Sequence, residues 1–168
     1  MQVTFDLDVF GEDAPRIFSE GVLQIALRCL FAIDRYWLRR FPGRFPLLYE
    51  SGVRYVRQYH PALPQREWEL WRDIPTALAF GNGDCKVLAC WRAAELCEVF
   101  GVGAEPVYKW ARRPGMNVYH VLVRLPNGTF QDPSRKLGMT RWQTAPPLGD
   151  HLRAVYGTRP VHELRRAA

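Results

Sequence analysis

The segment Asp84 to Phe100, DCKVLACWRAAELCEVF, is apolar around most of its circumference, and a helix of that kind must be enclosed by the rest of the chain. It is therefore the expected central element of the fold, stopped by Gly101 and Gly103. The pattern then changes. Val107 to Trp110, Val118 to Leu125 and Thr129 to Asp132 are β-type runs, separated by an Arg-Pro-Gly loop and a Pro-Asn-Gly turn. Upstream, from about Phe18 to Arg40, Leu23, Leu27, Leu30, Trp37 and Phe41 recur at helical spacing until Pro42-Gly43, which predicts one long amphipathic helix. Residues 2 to 9 alternate polar and apolar side chains, as a half-buried strand does. Residues 42 to 64, rich in proline and glycine, read as irregular connection with a short extended piece around Val53 to Tyr59. Residues 65 to 80 read as one or two short helices interrupted at Pro75. The order is helices, then a meander of strands.

At 168 residues, 48% apolar and 24% charged, the chain is long enough for one domain with a real core, expected over residues 1 to 145. Residues 146 to 168 carry breakers and charge and read as a loosely attached basic tail. The longest mostly apolar stretch, Val22 to Ile33, contains Gln24 and Arg28 and is too short to span a bilayer of roughly 30 Å, so no membrane insertion is expected. The N-terminus lacks a basic region followed by an apolar one, which points to the cytoplasm of the producing cell. In that compartment Cys29, Cys85, Cys90 and Cys97 are thiols rather than disulfide partners. The net charge of +6 rests on 20 Arg against 3 Lys, and arginine suits acidic surfaces.

Cys85 follows Gly83-Asp84 at the first turn of the enclosed helix. Free backbone N–H groups and the positive dipole end at a helix N-terminus favour a thiolate, the nucleophilic form. Asp84 is the expected N-cap, and Gly83 leaves room for a substrate to approach the backbone. Cys90 and Cys97 share one apolar helix face and read as core filler. A nucleophilic thiol needs a base, and the base needs an orienting group. His120 lies inside the apolar strand run Val118 to Val123, and Asp132 ends the next strand. The turn between them decides whether they meet. A two-residue Asn127-Gly128 turn would pair 123 with 132 and put Asp132 on the face opposite His120. A three-residue loop, Pro126-Asn127-Gly128, with Gly128 left-handed in a bulge, pairs 125 with 129 and 122 with 132, which brings Asp132 diagonal to His120 on one face. Pro126 suits the type I turn of that loop, so the bulged register is expected.

These residues resemble a known family. Gly83-Asp84-Cys85, a helix with Ala89 and Leu96 leading to Gly101-Val102, then Tyr119-His120-Val121 and Asp132-Pro133-Ser134, are similar to the transglutaminase-like superfamily of papain-type cysteine enzymes, over residues 80 to 135. The resemblance implies an α+β fold in which the central helix carrying the Cys packs on an antiparallel sheet carrying the His and Asp. It implies Cys85 as nucleophile, His120 as general base and acid, and Asp132 as orienter. One departure concerns the local helix electrostatics: many relatives carry acidic residues just after the Cys, whereas Lys86-Val87 follow here. The chain also resembles small stand-alone members encoded by tailed bacteriophages, which implies association with a virion or tail.

The expected activity is cysteine-dependent acyl transfer at an amide, a peptidase- or amidase-type hydrolysis of a protein or peptide substrate, with no metal or organic cofactor. The oxyanion would be held by the Cys85 backbone N–H and a second donor, for which Asn82, Trp71 and Gln58 are candidates. Trp68 and Trp71 also fit plain core packing. A zinc site is disfavoured, because no C-x2-C pair exists and Cys85 and Cys90 would point about 140° apart on a helix. The stretch Tyr108, Lys109, Trp110, Ala111, Arg112, Arg113 reads as a solvated substrate rim selecting acidic substrates, and less well as a nucleic-acid surface. His60, His151 and His162 have no expected catalytic role. The alternative from another class is a non-catalytic virion or assembly component that uses the same fold as an interaction module.

Overall fold

The computed structural model describes residues 20–60, 63–67, 70–113 and 116–140. The strand expected over 2–9, Trp68 and the tail beyond 145 lie outside them, as do His151 and His162. The described residues mix helix and sheet in one α+β arrangement around a shared hydrophobic core.

Helix α1 spans Glu20–Arg40 and buries Leu23, Leu27, Leu30 and Leu38, one stripe at 3–4 spacing. Pro42 cannot continue it, and Gly43 (φ 71°) takes the left-handed conformation that turns the chain. After a 3-10 turn at Leu48–Glu50 come three short strands: β1 Arg54–Tyr55, β2 Tyr59–His60 and β3 Leu63–Glu67. β2 and β3 pair antiparallel. The extended piece expected near Val53 to Tyr59 is thus present as β1 and β2, whereas β3 begins in the expected irregular connection and runs on through residues 65–67, where the sequence suggested helix. Helix α2 spans Ile74–Phe80. Pro75 does not interrupt it but occupies its first turn, where the missing N–H has no intrahelical partner to lose. Asp73 caps it by accepting the Thr76 N–H at 3.1 Å and holds α1 with its other oxygen through the Trp37 indole N–H at 2.9 Å.

Gly81 (φ 67°) ends α2, and Asn82–Gly83 form strand β4. β4 pairs parallel with β1, Arg54 opposite Asn82 and Tyr55 opposite Gly83. Helix α3, Cys85–Glu98, starts directly after it. Lys86 to Trp91 and Ala93 to Leu96 are all buried, so the enclosed helix expected from its apolar circumference is present. α1 packs along one side of α3, and Arg35 and Arg39 both bind Glu98. The other side is covered by a three-stranded antiparallel sheet, β5 Glu105–Arg113, β6 Met116–Arg124 and β7 Phe130–Gln131, in that spatial order. A short helix α4, Pro133–Lys136, follows and packs on α3 and β1. No helix of the described residues is long and apolar enough to cross a membrane.

Asp34 is fully buried where α1 meets α2, and its Oδ1 accepts the Ile74 backbone N–H at 3.0 Å. Burial pushes its carboxyl well above the usual range, with the Asp73 charge adding to the effect and the Ile74 hydrogen bond opposing it. A carboxyl whose folded-state pKa is raised favours the fold at low pH, and that contribution is lost as pH rises from the ordinary carboxylate range, roughly 4, through the folded value. Asp34→Asn keeps an acceptor for Ile74 without the ionisation. Its melting temperature should exceed wild type at pH 8, with the gap narrowing as pH falls to about 4; a thermal melt series over pH 4–8 checks this.

Candidate active site

The hairpin between β6 and β7 sets the first half of the site. Val123 pairs with Gln131 and Arg124 with Phe130, the register of the three-residue loop. The Leu125 N–H donates to the Thr129 carbonyl at 2.9 Å, the Gly128 N–H returns to the Leu125 carbonyl at 2.9 Å, and Gly128 is left-handed (φ 82°). Extending this register by one residue sets Asp132 opposite Leu122 and diagonal to His120. The side chains meet there: His120 Nε2 lies 3.0 Å from Asp132 Oδ2. Both are partly exposed, 26% and 19%.

Asp132 also caps α4, its Oδ1 accepting the Arg135 N–H at 3.2 Å, and Arg135 Nε lies 3.3 Å from Oδ2. Burial acts to raise the Asp132 carboxyl, but the hydrogen bond from His120, the Arg135 N–H and the two nearby positive charges outweigh it, and the net shift is downward. An ionised carboxylate only accepts hydrogen bonds, so in neutral His120 the proton is assigned to Nε2 and the lone pair to Nδ1. The imidazole is oriented and its basic nitrogen faces away from Asp132.

The second half comes from the start of α3. Asp84 is the N-cap, Oδ1 accepting the Val87 N–H at 3.4 Å, and Cys85 in the first turn is partly buried. Next to it Lys86 is 2% exposed, ion-paired with Asp84, with its ammonium 5.4 Å from the centre of the Trp71 ring. Tyr55 borders this cluster from β1. Burial raises its hydroxyl pKa first, and the negative charges at Cys85 and Asp84 raise it further while Arg57 and Lys86 act the other way, so it stays protonated. Burial, with Asp34 and Asp84 nearby, also pushes the Cys90 thiol far up, and its Sγ contacts the Leu27 carbonyl at 3.6 Å. Cys97 exchanges contacts with Ala104 at 3.2 and 3.4 Å. These two thiols are packing groups, as the sequence indicated.

How the halves sit relative to each other follows from the packing of α3 on β6. Cys97 and Leu125 line the same open cavity of about 710 Å³, at the C-terminal end of α3. From Cys97 back to Cys85 the helix rises roughly 18 Å, and from Leu125 back to His120 the strand runs roughly 16 Å. Cys85 and His120 both lie well away from that cavity. By strand alternation His120 shares a face of β6 with Leu122, opposite the Val121 and Val123 stripe that enters the core. The imidazole therefore points to the face of β6 opposite the one that packs into the core with α3.

Several expected site residues have other tasks. Asn82 is tied into the scaffold: its Oδ1 accepts Arg72 Nη1 at 2.8 Å and its Nδ2 donates to the Phe80 carbonyl at 2.8 Å. A Cβ at Gly83 would lie 2.7 Å from Val87 Cγ1, so glycine is needed for close packing of β4 on the first turn of α3. Tyr108 is no rim residue, since its hydroxyl donates to the Leu23 carbonyl at 2.8 Å and its ring meets Tyr119 edge-on. Residues 108–113 belong to β5 rather than a loop; the side chains of Trp110, Arg112 and Arg113 lie outside the described residues. Conversely, among the described residues, Gln58 is 2% exposed with neither amide atom hydrogen-bonded, and the Trp71 indole N–H is buried without a hydrogen-bond partner. Tyr55 was missed by sequence reasoning, and only its pairing opposite Gly83 brings it to Cys85.

Comparison with known proteins finds no family model, curated protein or solved structure that matches the chain.

Asp132→Ala should cost about 0.5–2 kcal/mol near pH 7 through loss of the α4 cap, and Asp132→Asn less. A carboxylate with a lowered folded pKa stabilises above its unfolded pKa of roughly 4 and loses that contribution as pH falls through the folded value, so the gap between wild type and Asp132→Asn should shrink below about pH 4. Urea unfolding at several pH values measures both.

Proposed function

We propose that this chain is a transglutaminase-like cysteine enzyme that hydrolyses an amide bond in a protein or peptide. One observation carries the reading: the hairpin register pairs His120 with Asp132, in a fold whose enclosed helix begins with a thiol next to its cap. In this reading the Nδ1 lone pair of His120 accepts the Cys85 thiol proton. Sγ attacks the substrate carbonyl carbon, and the C=O π pair moves to oxygen. On collapse the C–N bond breaks, and His120 gives its proton to the leaving amine, which leaves a thioester. His120 then takes a proton from water, hydroxide attacks the thioester, and the thiolate leaves to be reprotonated. The reading requires the imidazole to reach the thiol around the edge of β6 when substrate is bound, since catalytic hydrogen bonds often form fully only in the complex.

The oxyanion is held by the Cys85 backbone N–H and the Gln58 side-chain amide. A buried amide with no partner is destabilising by about 1–3 kcal/mol, a loss that a donor kept for a transient ligand explains. The Val56 N–H, two residues before Gln58, donates to the Gly83 carbonyl at 3.0 Å, which ties this segment to the residues preceding Cys85.

Iodoacetamide alkylation followed by mass spectrometry tests the nucleophile. Cys85 should react well below the ordinary thiol pKa of about 8.5 and lose that reactivity in His120→Ala. An ordinary thiol in both proteins would sink the enzyme reading and favour a non-catalytic interaction module.

Gln58→Met tests the second donor. Alkylation at a saturated carbon builds no oxyanion, so its rate should stand, while acylation of Cys85 by p-nitrophenyl acetate should fall on the order of 10²–10³-fold. Stability should hold or rise, since an unpaired amide is removed. Unchanged acylation in this variant, with a loss in Trp71→Phe instead, would move the role to the indole N–H.

A further inference from the structure

We propose that Lys86 is a positioning residue for the thiolate of Cys85, which it protects from the carboxylate that starts its own helix; this rests on the reading of Cys85 as the nucleophile. The helix needs an acceptor at its N-cap, and Asp84 supplies it to the Val87 N–H. That acceptor carries a negative charge one residue from the thiol, where it opposes a second negative charge. The Asp84 side chain is only 11% exposed, so water does little to screen it. Lys86, 2% exposed and one residue beyond Cys85, closes an ion pair with Asp84 and rests on the Trp71 ring. A lysine is rarely buried so completely without a partner to neutralise. With the pair formed, the cap keeps its acceptor while its charge is cancelled, and the dipole end of α3 remains to favour the thiolate.

Among the described residues, the other titratable groups near Cys85 are Tyr55 and Arg57 from the β1 segment and Cys90 further along α3, and the proposed function adds the His120–Asp132 pair with Arg135 of α4. Tyr55 responds to the charges of Cys85, Asp84 and Lys86 together, which puts the three within electrostatic reach of one another. The departure Lys86-Val87 after the Cys is in this light the counterpart of an aspartate cap, not a weakening of the site.

The test is the pH profile of iodoacetamide alkylation at Cys85 in wild type, Lys86→Met, Asp84→Asn and the double variant. Iodoacetamide is neutral, so charge changes act on the thiol and not on the reagent's approach. Asparagine keeps the cap. At pH 6.5 Lys86→Met should slow alkylation about tenfold and Asp84→Asn should speed it, while the double variant returns to within about twofold of wild type. Should Lys86→Met fail to fold, Asp84→Asn and the double variant still read the balance. Rates in those two equal to each other, or shifts of the same sign in both single variants, overturn the proposal. An ordinary alkylation midpoint in wild type overturns the enzyme reading separately, because the opposite shifts of the variants would persist around that midpoint.

Discussion

A helix without a polar face is stable only where other elements remove all of it from water, and the enclosure of α3 organises the described fold. α1 covers one side and the sheet of β5 to β7 another, while α2, β4 and α4 also pack on it. Nearly every side chain from Lys86 to Leu96 is buried as a result. At typical values of about 1.5–3 kcal/mol per buried large apolar side chain, this packing outweighs the cost of the few polar groups that go in with it. The end of such a helix is a special place, since its unpaired N–H groups and dipole emerge where the enclosure opens. Cys85 occupies that end.

Buried polar groups gather toward the same end. Asp84, Lys86, Gln58 and Asn82 are each under 9% exposed. Asn82 is satisfied by Arg72 and a carbonyl, and Asp84 by Lys86 and the helix N–H, so both are parts of the scaffold. Gln58 is not satisfied by the protein. The contrast separates groups that hold the site from one that is left with bonding capacity, and it is the latter that a transient negative oxygen can use.

The hairpin contributes the other catalytic half by the same economy of means. Asp132 serves at once as the partner of His120 and as the cap of α4, so the element that closes the sheet also fixes the imidazole tautomer. Its placement depends on a single glycine in a left-handed conformation: with a two-residue turn the carboxylate would fall on the other face of the strand.

Much of this was legible in the residues. The all-round apolarity of 84–100 required enclosure, Asp84 before an apolar helix signalled a cap, and Pro126 with Gly128 specified the loop whose register the pairs of β6 and β7 display. These are local rules, in which a residue's own conformational preference or a fixed period decides the outcome. The long-range pairings were not legible. The parallel match of Arg54–Tyr55 with Asn82–Gly83 joins two-residue strands with no pattern of their own, and it brings Tyr55 beside the thiol. Pro75 reads as a breaker until Asp73 is seen capping the helix ahead of it.

By itself, then, the sequence determined which elements form around residues 84 to 132 and which chemical groups they carry, because helix periodicity, caps and turn geometry act over a few residues. Only the tertiary structure decided which of those groups are engaged elsewhere. Asn82 is held by Arg72 and the Phe80 carbonyl, the space beside Gly83 is filled by Val87, and Tyr108 turned to α1, while Lys86 was drawn inside against Asp84. Each outcome is set by what packs against the residue from a distant part of the chain, and no local preference contains that information.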